Sequence, residues 1–236
     1  MCTVTYFPLK DKIILTSNRD EKPHRSAQEI HTENGVFYPK DAAKKGTWFI
    51  VSESGNVIIL LNGAFENHKK EAEYRKSRGL IVLDLIFKKN LFTTLQDIDL
   101  QNIEPFTLVI FQQNKLAEFR WNGSEKHFTE LDNNRSYIWS SATLYDENAR
   151  GKRVQIFQNF LQKENISEET VWSFHHQKTN DLENGITIKR QNTIQTISTT
   201  QVIISDEIIL KHQDRLNTHS KPEKILLKNE FKTSLS

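Results

Sequence analysis

Short runs of apolar residues recur along the chain, and most of them have the length and residue types of β-strands. Two runs, at residues 2–7 and 13–17, flank a polar turn and predict an N-terminal hairpin. Two more, at residues 47–51 and 56–61, flank a Glu-Ser-Gly turn and predict a second hairpin. The last run is continuously apolar, which is typical of a strand buried on both faces.

The rest of the chain mixes helical and extended patterns. Residues 71–89 place apolar side chains at helical spacing and predict an amphipathic helix. Residues 18–45 carry few periodic apolar positions and predict a long loop with one short strand at residues 36–38, and such a long loop is usually functional. Further helices are predicted at residues 93–100, at 146–163 and from Ser167 onward, and further strands at 106–111, 116–121, 137–140, 193–200 and 201–210.

The order of these elements distinguishes between fold classes. Strands and helices do not alternate regularly, so a doubly wound parallel sheet is not expected. The pattern instead predicts an α+β protein in which antiparallel sheets pack together with helices outside. One domain is expected over residues 1–210, followed by a polar, loosely held tail over residues 211–236. Docking of that tail through residues 225–227 is the alternative.

Composition narrows the classes of function. Thirty-two Lys and Arg residues balance 30 Asp and Glu residues, so no nucleic-acid partner is expected. One cysteine excludes an intramolecular disulfide framework and a cysteine-rich zinc site, and it fits a reducing compartment. The chain has neither a run of about 18 apolar residues nor the features of a secretory signal. A cytoplasmic protein without a transmembrane segment is therefore expected.

The single cysteine, Cys2, directly follows Met1. Removal of Met1 would leave Cys2 with a free α-amine beside its thiol. Because such an amine has a pKa of about 7.7–8.0, part of it is neutral at physiological pH and can act as the base for the thiol. The alternative is that Cys2 is a small buried residue at the start of the first strand, as many free cysteines are.

The densest polar cluster, Asn18-Arg19-Asp20-Glu21, follows the second predicted strand. In a tight antiparallel hairpin the end of the second strand lies beside the start of the first, so we expect this cluster near Cys2. An arginine close to a thiol lowers the pKa of that thiol, and a carboxylate can hold and orient an α-ammonium. Arg19 and Asp20 are therefore candidates for these two roles. Solvated side chains and local turn hydrogen bonds are the alternative explanation.

Three further places combine polar groups with predicted strand ends. Trp48 begins a buried strand and is either a core residue or the wall of a pocket. Asn62, in an Asn-Gly pair, is either part of a turn or an oxyanion donor. Ser140 and Ser141 either cap a helix or donate hydrogen bonds to a ligand. The histidines show no metal-ligand spacing, so no metal site is expected.

These motifs together resemble the NRDE family, which is the family of transport-and-Golgi-organisation protein 2. The resemblance extends from Cys2 to about residue 210. That family is considered similar to N-terminal nucleophile hydrolases, especially the branch of penicillin V acylase and bile-salt hydrolase, which implies a four-layer αββα sandwich. The resembling segments are Met1-Cys2, Ser17-Asn18-Arg19-Asp20-Glu21, Lys45-Gly46-Thr47-Trp48, Leu61-Asn62, Arg78-Gly79, Ser140-Ser141 and Leu144-Tyr145.

The resemblance also implies roles for individual residues. In those enzymes a processed N-terminal cysteine attacks a linear amide, with an arginine and an aspartate nearby. Carried over, Cys2 matches the nucleophile, Arg19 and Asp20 match its two partners, and Asn62 matches a contributor to the oxyanion site. The residues expected to contact the substrate are Asn18, Glu21, Trp48, Ser140 and Ser141.

The chain departs from the pattern at two points. The acylases place a second oxyanion asparagine after a later strand, where this chain has Ser140-Ser141. Many family members carry an arginine near the C-terminal strands, and the comparable stretch here is Thr196-Ile197-Ser198. The loss of that arginine weakens the expectation of an anionic group on the substrate.

The first hypothesis is therefore an N-terminal cysteine amidohydrolase that acts on a small-molecule amide or acyl ligand and requires no cofactor. A thioester or thiol-exchange reaction is consistent with the same residues. The alternative is a non-catalytic haem- or lipid-handling protein, or a trafficking protein, on the same scaffold. In that case Cys2 would be a haem ligand or an anchor.

Overall fold

The computed structural model describes residues 2–27, 29–163, 165–178, 180–191, 193–217 and 221–228. Met1 and residues 229–236 of the predicted tail lie outside the described residues. Within the described part, the strands form two antiparallel sheets of seven strands each.

The first sheet has the N-terminal hairpin near its centre. Its strands are β1 (Cys2–Pro8), β2 (Ile13–Glu21), β10 (Tyr137–Ser140), β11 (Lys189–Arg190), β12 (Ile194–Ile204), β13 (Glu207–Asp214) and β14 (Glu223–Lys228). Their order is β10-β1-β2-β12-β13-β14, with β11 paired to β12. Strand β1 is therefore held on both sides, by β10 and by β2.

The second sheet is a meander in which each strand pairs with the next along the chain, in the order β3-β4-β5-β6-β7-β8-β9. Most connections between successive strands are short, because antiparallel neighbours need only a turn, and the exception is the connection from β6 to β7, which spans residues 63–105 and contains two helices. Its strands are β3 (Ile30–Glu33), β4 (Val36–Pro39), β5 (Phe49–Ser52), β6 (Val57–Asn62), β7 (Phe106–Gln112), β8 (Lys115–Trp121) and β9 (Lys126–Leu131).

Helices cover the outer faces of the two sheets. Helices α1 (Arg78–Ile86) and α2 (Leu91–Asp97) pack on the second sheet, and α3 (Glu147–Lys163) and α4 (Glu168–His176) pack on the first. Between the sheets, the rings of Tyr6 and Phe111 lie 6.4 Å apart. The predicted α+β class and four-layer αββα sandwich are confirmed.

The predicted loop over residues 18–45 is wrong in two respects. Strand β2 continues to Glu21, and β3 and β4 form a hairpin inside the segment. The polar residues at the end of β2 are buried because distant parts of the chain supply their hydrogen-bond partners. Sequence periodicity does not register such partners, so the segment has the pattern of a loop.

Other predicted elements differ mainly at their ends. Helix α1 begins at Arg78 rather than at residue 71, because residues 71–77 are mostly exposed and offer no apolar face to bury. Strand β9 was not predicted, since its side chains are mostly exposed. The boundary predicted at residue 210 falls inside β13, and residues 223–228 form β14, which pairs with β13.

Candidate active site

Cys2 is the first residue of β1 and lies directly opposite Arg19 of β2 in the strand register. Side chains of directly opposed residues point to the same face of a sheet, with Cβ atoms about 5 Å apart. For this pair that face is the inner one, between the sheets, where Cys2 is fully buried. The Cys2 carbonyl accepts a hydrogen bond of 3.0 Å from the backbone N–H of Ser141, which ties the start of β1 to the end of β10.

The surroundings of the thiol act on its ionisation in opposite directions. Burial raises the pKa of Cys2, and the Asp20 carboxylate adds to the rise. The Arg19 guanidinium and the Ser17 hydroxyl lower that pKa by a smaller amount. In the described conformation the thiol is therefore more difficult to ionise than an exposed cysteine.

Arg19 is held from three directions. Its Nη1 donates to the Arg25 carbonyl at 2.8 Å, and its Nη2 donates to the Asp41 carboxylate. The guanidinium carbon lies 3.7 Å from the ring centroid of Trp48, in a cation–π contact. Arg25 also donates to Asp41, at 2.6 Å. Because these contacts involve both ends of the guanidinium, Arg19 has a single well-defined position.

Asp41 is an anion shared by these two arginines, and Arg25 also pairs with Glu21. Burial alone would raise the pKa of Asp41, but the Lys44 backbone N–H and the guanidinium groups of Arg19 and Arg25 bring it below its usual value. Its other oxygen accepts hydrogen bonds from the backbone N–H groups of Ala43 and Lys44. Asp41 is therefore ionised and fixes the chain that leads into β5.

A cleft of about 80 Å³ opens beside Arg19. Glu21, Trp48, Asn62 and the first residues of α1 also line it. Ligand pockets usually measure about 300–1,000 Å³, so this cleft holds a small group rather than a whole acyl chain. Cys2 does not line the cleft, although its neighbour Arg19 does.

One wall of the cleft is main chain packed on main chain. The backbone N–H of Thr47 donates to the Gly79 carbonyl at 3.2 Å, where α1 begins. A Cβ added to Gly46 would lie 2.5 Å from the Gly79 carbonyl carbon, and one added to Gly79 would lie 2.9 Å from the Thr47 backbone. Only residues without a side chain permit this approach, which explains the glycines in the Gly46-Thr47-Trp48 and Arg78-Gly79 motifs.

Asp20 is adjacent to Arg19 and points to the opposite, helix-covered face of the sheet. Its carboxylate accepts hydrogen bonds from the Tyr145 hydroxyl, at 2.8 Å, and from the Thr196 hydroxyl, at 2.6 Å. Burial raises the pKa of Asp20, and the guanidinium of Arg153 opposes that rise. Asp20 also lies one position beyond the residue that pairs with Cys2, so it is close to the N-terminal end of β1.

Of the remaining predicted residues, one is joined to the Cys2 end of the sheet, and the side chains of two others lie elsewhere. Asn62 is connected to the Cys2 end of the sheet, because its carbonyl accepts a hydrogen bond of 2.9 Å from the Ser141 hydroxyl. Ser140 lines a different cavity, beside β10 and α3. Asn18 is fully buried and donates to the carbonyls of His175 and Ile186, which is a structural role.

Sequence reasoning missed Asp41 and Arg153. No local pattern distinguishes Asp41, because its partners are brought to it by the fold. Arg153 does leave a signal: in α3 the buried residues Ala149, Arg153 and Phe157 recur every four positions, so a charge occupies the middle of the sheet-facing stripe. An arginine at such a position needs a partner inside the protein.

Among the described residues, no group of three or more His, Cys, Asp and Glu side chains is arranged to hold a metal ion. Within the same part of the chain, no helix combines the length and the apolar character needed to cross a membrane.

Comparison with known proteins agrees with this architecture. The structure is similar to the Caenorhabditis elegans ortholog of N-acylethanolamine-hydrolyzing acid amidase, with a TM-score of 0.57 and 13% identity over 85% of this chain and 92% of that chain. It is also similar to penicillin V acylase from Agrobacterium tumefaciens, with a TM-score of 0.53 and 6% identity over 97% of this chain and 86% of that chain.

A third similar structure is conjugated bile acid hydrolase from Clostridium perfringens, solved as its C2A mutant, with a TM-score of 0.50 and 10% identity over 97% of both chains. No curated protein sequence matches significantly. The family model for Transport and Golgi organisation 2 matches residues 1–228, which confirms the resemblance seen in the motifs. The chain therefore belongs to the Transport and Golgi organisation 2 family and has the fold of N-terminal nucleophile hydrolases.

Proposed function

We propose that this protein is an N-terminal cysteine hydrolase that cleaves a linear amide. The observation that carries the proposal is the pairing of Cys2 with Arg19 at the end of the central hairpin. This pairing places a thiol at the first position of a strand, beside a fixed guanidinium and next to a polar cleft. The names of the similar structures, an amidase, an acylase and a bile acid hydrolase, support the reaction class.

In the proposed reaction, removal of Met1 frees the α-amine of Cys2. The amine accepts the thiol proton, and the thiolate attacks the amide carbonyl carbon. The C–N bond then breaks, the leaving amine takes the proton, and an acyl thioester remains on Cys2. Water attacks the thioester, which releases a carboxylic acid and restores the thiol.

The neighbouring residues have separate roles in this proposal. Arg19 favours the thiolate, and Asp20 holds the α-ammonium that forms when the amine takes the proton. Asn62 lies in the cleft, where its carboxamide can donate to the developing oxyanion. Glu21 and Trp48 line the same cleft and would contact the substrate. Ser141 holds the carbonyls of Cys2 and Asn62 together.

The proposal requires the thiol to become accessible and easier to ionise, because Cys2 is fully buried in the described conformation and this burial raises its pKa. Met1 lies outside the described residues. The mature protein, without Met1, is expected to present the thiol to a small acyl amide. A free thiol at position 2 persists most readily in a reducing compartment, which supports a cytoplasmic site of action.

Intact mass analysis of the untagged protein tests the proposal. We expect a mass without Met1 and rapid single alkylation by iodoacetamide at about pH 6.5, roughly two units below the ordinary thiol pKa. Alkylation should be abolished in Cys2→Ser and slowed in Arg19→Ala. Arg135→Ala is the matched control, because Arg135 is exposed and pairs with Asp132 at the surface. Retained Met1, or a thiol that reacts only above about pH 8.5, would overturn the proposal.

A second candidate is a non-catalytic haem- or lipid-handling protein, and the observation that favours a non-catalytic role is the complete burial of Cys2. Neither a haem nor a whole acyl chain fits the cleft of about 80 Å³, and the thiol does not line it, so such a ligand would need a wider cleft. Titration of wild-type protein and Cys2→Ser with haem separates these cases. A Soret band that depends on Cys2 would support haem ligation, and identical spectra would exclude it.

A further inference from the structure

A fully buried arginine lies on the helix-covered side of the sheet that carries Cys2. Arg153 is in the middle of α3, in the stripe that faces the sheet. Its Nη1 donates to the Gly185 carbonyl at 2.8 Å, and its Nη2 donates to the Thr3 hydroxyl. Thr3 directly follows Cys2 in β1, so the guanidinium is attached to the strand that begins with the proposed nucleophile.

The same guanidinium lies one ring away from Asp20. The guanidinium carbon of Arg153 is 3.8 Å from the ring centroid of Tyr145. The hydroxyl of that ring donates to Asp20, and the Thr196 hydroxyl donates to the other carboxylate oxygen. Tyr145 therefore lies between a buried cation and a buried anion, and it contacts both.

Burial of these two charges is costly unless each compensates the other. An isolated buried charge is strongly unfavourable, and Asp20 and Arg153 are both fully buried. Four groups face Asp20 from the surrounding elements: Arg153 of α3, Tyr145, Thr196 of β12, and Arg215 beyond β13. The Nε of Arg153 is buried without a hydrogen-bond partner among the described residues. Hydrogen bonding alone therefore does not account for the presence of an arginine at this buried position.

We propose that Arg153 is a positioning residue for the Cys2 site, which fixes the Asp20 carboxylate through Tyr145 and the start of β1 through Thr3. The inference rests on the proposed function, because a fixed Asp20 is needed only if Cys2 requires an oriented amine. A purely structural arginine would lower stability when replaced and would leave the reactivity of Cys2 unchanged.

Carbon-13 NMR titration of the Asp20 carboxyl, assigned with Asp20→Asn, measures this link directly. In Arg153→Gln we expect the Asp20 pKa to rise by about one unit or more, because an opposing charge is lost. Arg153→Lys keeps the charge and should stay close to wild type. Arg150→Gln, one turn earlier on α3, is the matched control, since Arg150 donates to the Phe65 carbonyl instead.

Alkylation of Cys2 in the same variants is the second readout. In the proposed function Asp20 holds the α-ammonium that forms when the amine takes the thiol proton, so loss of the Arg153 guanidinium in Arg153→Gln should slow the alkylation of Cys2. Arg153→Met supplies a second neutral side chain if the glutamine variant does not fold, and thermal unfolding identifies the folded variants. An unchanged Asp20 pKa in a folded neutral variant would overturn the inference, and so would an Asp20 shift without any change at Cys2. An unactivated Cys2 in the wild-type protein would instead contradict the proposed function.

Discussion

Removal of Asp41 from its buried ion pair with Arg19 should be strongly destabilising, and Asp41→Asn tests this. Both side chains are nearly inaccessible, with 4% and 6% of their surfaces exposed. Removal of one partner from a buried ion pair costs about 3–5 kcal/mol, because the other charge stays buried without compensation. Asparagine keeps an oxygen that can accept the backbone N–H groups of Ala43 and Lys44, so we expect the lower part of that range, about 3 kcal/mol.

Urea unfolding measures this loss. For an m value of about 2–3 kcal/mol/M, the unfolding midpoint of Asp41→Asn should fall by about 1–1.5 M at pH 7. The effect should also depend on pH in a defined direction. The pKa of Asp41 is lower in the folded protein than in the unfolded chain, so its stabilisation is complete above the unfolded value of about 3.9 and is lost as the pH falls further.

Asp84→Asn is the matched control for Asp41→Asn. Asp84 pairs with Lys76 at the surface, with 54% of its side chain exposed, and such pairs contribute about 0–1 kcal/mol. The difference between wild type and Asp41→Asn should be constant from about pH 7 to 5 and should shrink below about pH 4. Equal losses for the two variants, or a difference that persists to about pH 3, would refute the reasoning.

The remaining predictions concern packing and a buried histidine. Gly46→Ala should lower the free energy of unfolding by about 1–3 kcal/mol, because the new Cβ meets the backbone of α1. Gly151→Ala is the control: Gly151 has open space around it in α3, so this variant should raise the free energy of unfolding by about 1 kcal/mol. Leu85→Ala should cost about 2–5 kcal/mol and the exposed Leu226→Ala under about 1 kcal/mol, both measured by urea unfolding. Burial places the pKa of His175 well below its usual value, so stability should decline as the pH falls below about 6.5. Burial also lowers the pKa of His176 and of His212, so His175→Gln should reduce that decline in thermal unfolding between about pH 5 and 7 without abolishing it. A profile unchanged by His175→Gln would contradict this assignment.

The position of the Arg19 segment beside Cys2 could be predicted from sequence because it depends on local information. Two β-rich runs separated by a short polar turn predict a hairpin, and the length of the turn sets which residues lie opposite each other. The structure confirms the hairpin and shows that Arg19 is the residue opposite Cys2. The fold class followed from the order of the elements and from the family resemblance, and both were consistent with two antiparallel sheets.

The contacts that complete the candidate site could not be predicted in the same way. Asp20 is bound by Tyr145 and Thr196, which lie 125 and 176 residues away along the chain. Periodicity and turn chemistry describe neighbours within a few positions, and they contain no information on such partners. The same limitation explains why buried polar residues at the end of β2 have the sequence pattern of a loop.

The contact between Gly46 and Gly79 determines how the cleft can change its size. Side chains that line a pocket can rotate to admit a larger ligand, but two backbones in direct contact cannot. Widening of the cleft on this side therefore requires α1 to move as a unit away from the start of β5. Under the proposed function, the position of a helix rather than the rotamers of side chains would then determine which ligands the cleft admits, and variants that loosen the packing of α1 should broaden that range.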